Sequence, residues 1–194
     1  GPAQVLVRVR AAGLNRADLI VLSGRKHGSQ GGPGTIIGLE WAGEVVAVGS
    51  EVTGVKAGDR VMCSGSGGYA EYAVSDMGRT ALVPANNMTW EQAATLPVAL
   101  HTMHDAIVTN GRLAKGESIL IQGASSGVGL MGLQIARHMG AGLVIGSSTN
   151  AAKRARLAEF GADLAIDSSD PGWPAAVKEA TGGKGVEVIV DMIS

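Results

Sequence analysis

The residues best suited to chemistry lie between Ser118 and Gly140, which read S-I-L-I-Q-G-A-S-S-G-V-G-L-M-G-L-Q-I-A-R-H-M-G. Ile119, Leu120 and Ile121 form a short apolar run of the kind a buried parallel strand requires. A turn of small residues follows: Gly123, Ala124, Ser125, Ser126 and Gly127, then Val128 and Gly129. Val128, Met131 and Ile135 recur at helical spacing, and Gly140 stands where a helix-closing glycine belongs. A strand, a tight turn and a helix make an anion site. The small residues let the backbone approach a pyrophosphate, and the helix start presents free N–H groups and a positive dipole end. Against the G-x-G-x-x-G spacing, Ala124 takes the first position, Ser126 the second and Gly129 the last. The match is a variant, and its weight comes from the order of strand, turn and helix around it. No Lys-Ser or Lys-Thr follows the glycines, so the turn is not a P-loop. The competing reading is a tight strand-to-helix link without a ligand.

A second set follows the next apolar run, Leu143 to Gly146. A site for NAD usually places an acidic residue after its second strand, to hold the ribose 2′-hydroxyl. Here that segment is Ser147-Ser148-Thr149-Asn150, with Lys153 and Arg154 just beyond and no acid among them. Hydroxyls and a cation suit a 2′-phosphate, which a carboxylate would repel. The pattern predicts NADP(H), with Ser147, Ser148 and Lys153 on the phosphate. In the alternative, the serines are turn residues and Lys153 is a solvated helix charge. No Ser/His/Asp or Cys/His set with a recognisable local signature accompanies these motifs.

The surrounding elements must hold these residues in place. Of 194 residues, 30 are glycine and six are aromatic, so tight turns abound and the cores rest on Val, Leu, Ile, Ala and Met. Residues 4–84 carry short alternating runs separated by glycine turns: Val5 to Val9, Gly43 to Gly49, a strand entered through Val61, Gly67 to Val74 and Ala81 to Pro84. They predict a small β-barrel. Asn15 to Leu22 reads as a short helix, and Arg25 to Gly34 as a glycine-rich loop. Thr89 with Gln92 forms a capping box, and Pro97 opens a helix to about Asn110. From Ser118 on, strands and helices alternate: a helix from Asn150 to Phe160, a strand from Ala162 to Ile166, a helix from Pro174 to Thr181, and a strand from Val186 to Val190. That alternation predicts a parallel sheet with right-handed crossovers.

The net charge of −1 and the lack of a long basic run argue against a nucleic-acid surface. A single cysteine, Cys63, excludes an intrachain disulfide and suits a reducing, cytoplasmic setting. No run approaches a membrane span and no signal-peptide pattern opens the chain. The start on a strand, and four strands where a full dinucleotide fold has six, predict a fragment of a longer protein.

Six stretches together resemble the zinc-free quinone oxidoreductases of the medium-chain dehydrogenase/reductase superfamily. They are A-A-G-L-N-R-A-D at 11–18, G-L-E-W-A-G at 38–43, V-K-A-G-D-R-V at 55–61, G-G-Y-A-E-Y at 67–72, L-P-V-A-L-H-T at 96–102, and I-Q-G-A-S-S-G-V-G-L at 121–130. The resemblance implies a GroES-like, glycine-rich barrel that forms the substrate and catalytic domain over residues 1–96. A partial Rossmann domain, with its first four strands, would fill 97–194. It places Asn15 and Thr102 near the nicotinamide or the acceptor, and Tyr69 either along the acceptor cleft or in the barrel core. A helix N-cap is the competing role for Asn15. The expected reaction is NADPH-dependent reduction of a quinone or enone, in a protein that would be a homodimer. Zinc-dependent relatives carry a Cys near position 15 and a His before the Glu, where this chain has Asn15 and Leu39-Glu40. No metal is therefore expected, although His101, His104 and Asp105 stand close together. Two other functions stay open: an enoyl-thioester reductase, and an NADPH-binding structural or redox-sensing protein without turnover.

Overall fold

The computed structural model describes residues 1–28, 30–85 and 87–193. The chain divides into two compact units, Gly1–Val98 and Ala99–Ser194.

The first unit is built on five antiparallel strands: β1 (Gln4–Ala12), β2 (Glu40–Val48), β3 (Arg60–Ser64), β4 (Tyr72–Asp76) and β5 (Thr80–Leu82), in the order β4-β1-β2-β3-β5. Alternation decides which side chains turn inward. Val5, Val7, Trp41, Val45, Val61 and Cys63 are buried together, while Arg8 on β1 and Tyr72 on β4 are exposed. Two register shifts in the β1–β2 ladder, at Leu6/Val7 and Val9/Ala11, are the kind of irregularity that bends a sheet. The expected barrel is thus a curled sheet of five strands among the described residues. The helix α1 (Arg16–Leu22) leaves β1, and α2 (Trp90–Ala94) follows β5. The predicted capping box is present on α2: the Gln92 N–H donates to Thr89 Oγ1 at 3.2 Å, and the Thr89 N–H to Gln92 Oε1 at 2.9 Å.

One expected strand is shorter than predicted. Pairing begins at Tyr72, and residues 67–71 form a turn instead. Gly67 has φ +92°, outside strand conformation. The N–H groups of Gly68 and Tyr69 donate to the carbonyls of Gly38 (3.1 Å) and Ile37 (2.9 Å), which diverts the chain from the ladder. The Tyr69 ring then lies against Gly38, where an added Cβ would meet Tyr69 Cδ1 at 2.7 Å.

The second unit carries four parallel strands: β6 (Ser118–Ile121), β7 (Leu143–Ser147), β8 (Leu164–Ile166) and β9 (Val188–Val190), in the order β8-β7-β6-β9. The chain moves outward from β6 to β8 and returns to place β9 on the other side of β6. That reversal is the switch point of a doubly wound sheet, and ligands of such sheets bind beyond the carboxyl ends of the strands there. Both sheet faces are covered, as a parallel sheet requires. Ile119, Ile121 and Val144 pack with Leu133 and Ala136 of α4 (Gly127–His138). Leu120, Ile145 and Ile166 pack with Val177 of α6 (Trp173–Ala180).

Two helices depart from expectation. The one from Pro97 is α-helical only to His104 (α3), then widens into a π-turn over Asp105–Asn110. Asn110 Nδ2 donates to the Asp105 carbonyl and carboxylate, both at 3.0 Å, and the Gly111 N–H reaches back five residues to Ala106 O. The helix capped by Asn150 ends early, as α5 (Ala151–Arg154). A 3₁₀ turn over Leu157–Phe160 follows, buries Leu157 completely and is closed by Gly161 at φ +104°.

Candidate dinucleotide-binding and acceptor sites

The turn after β6 is stitched to the end of β7. The Gly123 N–H donates to Ser147 Oγ (3.3 Å) and the Ala124 N–H to Ser147 O (2.9 Å). Ser126 caps α4, its Oγ accepting from the Gly129 N–H at 3.0 Å. Gly127 and Val128 therefore open a twelve-residue helix, where N–H groups have no carbonyl one turn back to bond. Gly129 permits the close fit: an added Cβ would lie 2.6 Å from both Ala124 Cα and Gly123 O. A Cβ on Gly127 would meet nothing within 4 Å, so the approach to the helix start is open. An open, small-residue helix start at a sheet's switch point fits a pyrophosphate.

At the end of β7, Ser147 and Ser148 are both buried. Ser148 Oγ lies 2.8 Å from Ser125 Oγ and accepts from the Asn150 N–H at 3.3 Å. The serines thus have structural partners of their own. The two cations beyond them differ. Arg154 is committed to Asp167 (3.0 Å) and to the Ser148 carbonyl (2.7 Å). Asp167 is held below the usual carboxylate range, first by the Ser169 hydroxyl and N–H and then by Arg154. Lys153 is exposed, and its ammonium makes no ion pair among the described residues. It borders a pocket of about 330 Å³ with Ser125, Leu130, Ala152, Arg156 and Phe160. Arg156 in that pocket is forked onto Glu159 at 2.8–3.2 Å, which leaves Lys153 as the lining cation without an ion pair among the described residues. Thr102 is exposed on α3.

In the first unit, Asn15 and Tyr69 join a cluster that holds two buried acids. Asn15 is the N-cap residue of α1, and its N–H donates to Asp18 Oδ2 at 2.9 Å, half of a capping box. Its side-chain Nδ2 donates to Glu40 Oε1 at 2.9 Å, and the Val98 N–H donates to Glu40 Oε2 at 2.9 Å. The Tyr69 hydroxyl lies 2.7 Å from Asp18 Oδ2 and 3.3 Å from Gly13 O. A phenol has one proton, and the shorter, charged acceptor takes it. Tyr69 is 37 % exposed, so it is not barrel core. Burial, then the hydrogen bond to Asp18 and the charges of Asp18 and Glu40, push the Tyr69 hydroxyl up to about 12. Burial raises Glu40 above its ordinary value, against the pull of the Val98 and Asn15 donors and with help from the Asp18 charge. The sequence pointed to Asn15 and Tyr69 as site residues, and not to Asp18 or Glu40. The N-x-x-D spacing announced the cap. Nothing in the sequence announced a bond between residues 15 and 40.

Among the described residues, no group of three or more His, Cys, Asp or Glu is disposed to hold a metal ion, and no helix is long and apolar enough to cross a membrane. Cys63 is fully buried beside Thr80, and burial pushes its thiol up to about 11.

A curled antiparallel sheet followed by the opening strands of a doubly wound sheet, with an anion turn at the switch point, is the two-part architecture of the dinucleotide-dependent oxidoreductases. Comparison with known proteins agrees. Residues 1–85 match the alcohol dehydrogenase GroES-like domain, and residues 127–194 the zinc-binding dehydrogenase domain. The chain is 34% identical to the highly reducing polyketide synthase gloL of Glarea lozoyensis, across 100% of this chain and 8% of that protein. It is 35% identical to rat quinone oxidoreductase, across 98% of this chain and 58% of the relative. Among solved structures, Escherichia coli quinone oxidoreductase complexed with NADPH superposes with a TM-score of 0.82 at 31% identity, over 100% of this chain and 59% of that one. The CurK enoyl reductase superposes with a TM-score of 0.88 at 25% identity, over 99% and 59%. The chain belongs to the medium-chain dehydrogenase/reductase superfamily. It spans less than two thirds of each of these relatives.

Proposed function

We propose that the protein transfers hydride from NADPH to a quinone or another conjugated carbonyl compound without zinc, as a cytoplasmic homodimer. Residues 1–96 would carry the acceptor side and 97–194 the nucleotide. The observation that carries the cofactor choice is the end of β7, where residues 147–153 hold Ser147 and Ser148 and no acid, the nearby Asp167 is paired with Arg154, and Lys153 makes no ion pair among the described residues. A 2′-phosphate suits that set, and a 2′-hydroxyl gains nothing from it. The solved relative with NADPH supports the same choice. Backbone N–H groups of Gly127 and Val128 would take the pyrophosphate, with Ala124, Ser125, Ser126 and Gly129 shaping the turn.

The bound cofactor supplies the hydride, two electrons and one proton, and a solvent proton completes the reduced acceptor. The chain's own part is to orient and polarise. One Asn15 N–H is spent on Glu40. The other suits a carbonyl oxygen that gains negative charge, as an oxyanion donor does. Tyr69, its hydroxyl donating to Asp18, would form a wall of the acceptor site, and Thr102, exposed on α3 in the second unit, would serve the nucleotide. The zinc-free reading rests on Leu39 before Glu40, on Asn15 bonded to Glu40, and on the inert, buried Cys63.

An enoyl-thioester reductase is the second reading, supported by the likeness to the polyketide synthase and to the CurK enoyl reductase. The deciding experiment follows nicotinamide oxidation by the full-length protein with 1,4-benzoquinone, a simple enone and crotonyl-CoA in parallel, with NADH as control. NADPH-preferring turnover of the quinone is the expected result. Turnover of the thioester alone moves the protein to the second reading. Saturable NADPH binding without turnover makes it a binding module.

A further inference from the structure

Glu40 is 5 % exposed, and no cation pairs with it among the described residues. A buried carboxylate without a counter-ion is costly unless hydrogen bonds replace its water. Here they do: Oε2 accepts from the Val98 N–H, and Oε1 accepts from Asn15 Nδ2. The side chain cannot slide, because Gly13 packs against it; a Cβ on Gly13 would lie 2.6 Å from Glu40 Cγ and Oε1. Asn15 is pinned at its other end by its own N–H bond to Asp18. With backbone and one amide proton both fixed, the plane of the carboxamide is set, and so is the direction of the second N–H. We propose that Glu40 is a positioning residue that aims the free N–H of Asn15, and that it does so only as a carboxylate, since both of its oxygens must accept. The inference rests on the reading of Asn15 as the donor to the acceptor carbonyl.

The titratable groups that face Glu40 are Asp18 on α1 and, beyond it, the neutral Tyr69 hydroxyl. Burial first, and then the charge of Asp18, disfavour the ionised form. Glu40 therefore binds a proton at a higher pH than a free glutamate, and the geometry around Asn15 is lost as pH falls through that range. A glutamine cannot replace it. Its amide has one acceptor oxygen, so either the Val98 N–H or the Asn15 N–H would face another donor.

The test uses the full-length protein, ¹⁵N-labelled on asparagine side chains, with the Asn15 signal identified by its loss in Asn15→Ser. In the wild type, the Asn15 amide signal should shift with pH along one titration whose midpoint lies above 4.5, the ordinary value for glutamate. In Glu40→Gln that titration should vanish, with kcat for the acceptor down about tenfold and KM for NADPH nearly unchanged, as expected for loss of orientation alone. An Asn15 signal that does not move with pH in the wild type overturns the proposal without any variant having to fold. So does a Glu40→Gln protein with wild-type kcat. If the wild type titrates as expected but reduces no acceptor, Glu40 still orients Asn15, and it is the reductase reading that falls.

Discussion

Tyr69 has one proton to give, and Asp18 takes it at 2.7 Å. The pair makes a spectroscopic prediction. Tyr69 should ionise at about 12, against 10 for an ordinary phenol. A phenol whose folded value is raised contributes stability that is fully present below pH 10 and is lost as pH rises through 12. In Asp18→Asn the phenolate absorbance step should move down in pH, though not back to 10, because burial is the larger cause. A difference titration against Tyr69→Phe isolates the step, and an unmoved midpoint in Asp18→Asn would show that the carboxylate does not hold the hydroxyl. A second residue-scale prediction concerns Lys153. Lys153→Ala should weaken NADPH binding by roughly 1–3 kcal/mol, the cost of one charge-assisted hydrogen bond, and leave NADH nearly unaffected. Calorimetric titration of both nucleotides decides it, and equal weakening of the two would remove Lys153 from the phosphate. At this scale the sequence was a good guide wherever partners lie three residues apart, as with Asn15 and Asp18 or Thr89 and Gln92. It was silent where they lie far apart. That Arg154 is spent on Asp167 while Lys153 stays free follows from the return of β8, thirteen residues on, which no local pattern reveals.

The turn between β6 and α4 works as one element, because Gly129 lets the helix sit directly on the strand end. Gly129→Val should force the first turn of α4 away from Ala124 and Gly123, whose backbone atoms lie 2.6 Å from the site of any Cβ. Flexible side chains could yield at such a distance; backbone cannot. Binding of NADPH and of NADH should both be lost, while far-ultraviolet circular dichroism stays close to wild type. Retained binding would mean that the pyrophosphate lies elsewhere. The strand–turn–helix order was legible from apolar runs and small residues, since β6 and α4 obey their own periodicities. The segment 67–74 misled for a physical reason. It alternates like a strand, but the carbonyls of Ile37 and Gly38 capture its N–H groups before the ladder can. The same diversion brings the Tyr69 hydroxyl to Asp18. An alternating pattern therefore concealed a turn.

At the scale of the molecule, each unit buries its own core. Val5, Val7, Trp41, Val45 and Val61 close the first, and Ile119, Ile121, Leu133, Val144 and Leu157 the second. With six aromatic residues in the chain, both cores depend on aliphatic packing, where a lost side chain leaves a cavity that rigid neighbours fill poorly. Leu133 is fully buried between α4 and the parallel sheet, and Leu133→Ala should cost about 2–5 kcal/mol. If the two cores are energetically separate, that loss should fall on one unit. Hydrogen exchange followed by mass spectrometry should show faster exchange in β6, β7 and α4, and unchanged protection in β1 and β2. Val45→Ala, in the other core, should give the reverse pattern and leave NADPH affinity near wild type. Equal loss of protection in both sheets from either substitution would show a single cooperative unit, in which residues 1–96 and 97–194 do not act as separate domains.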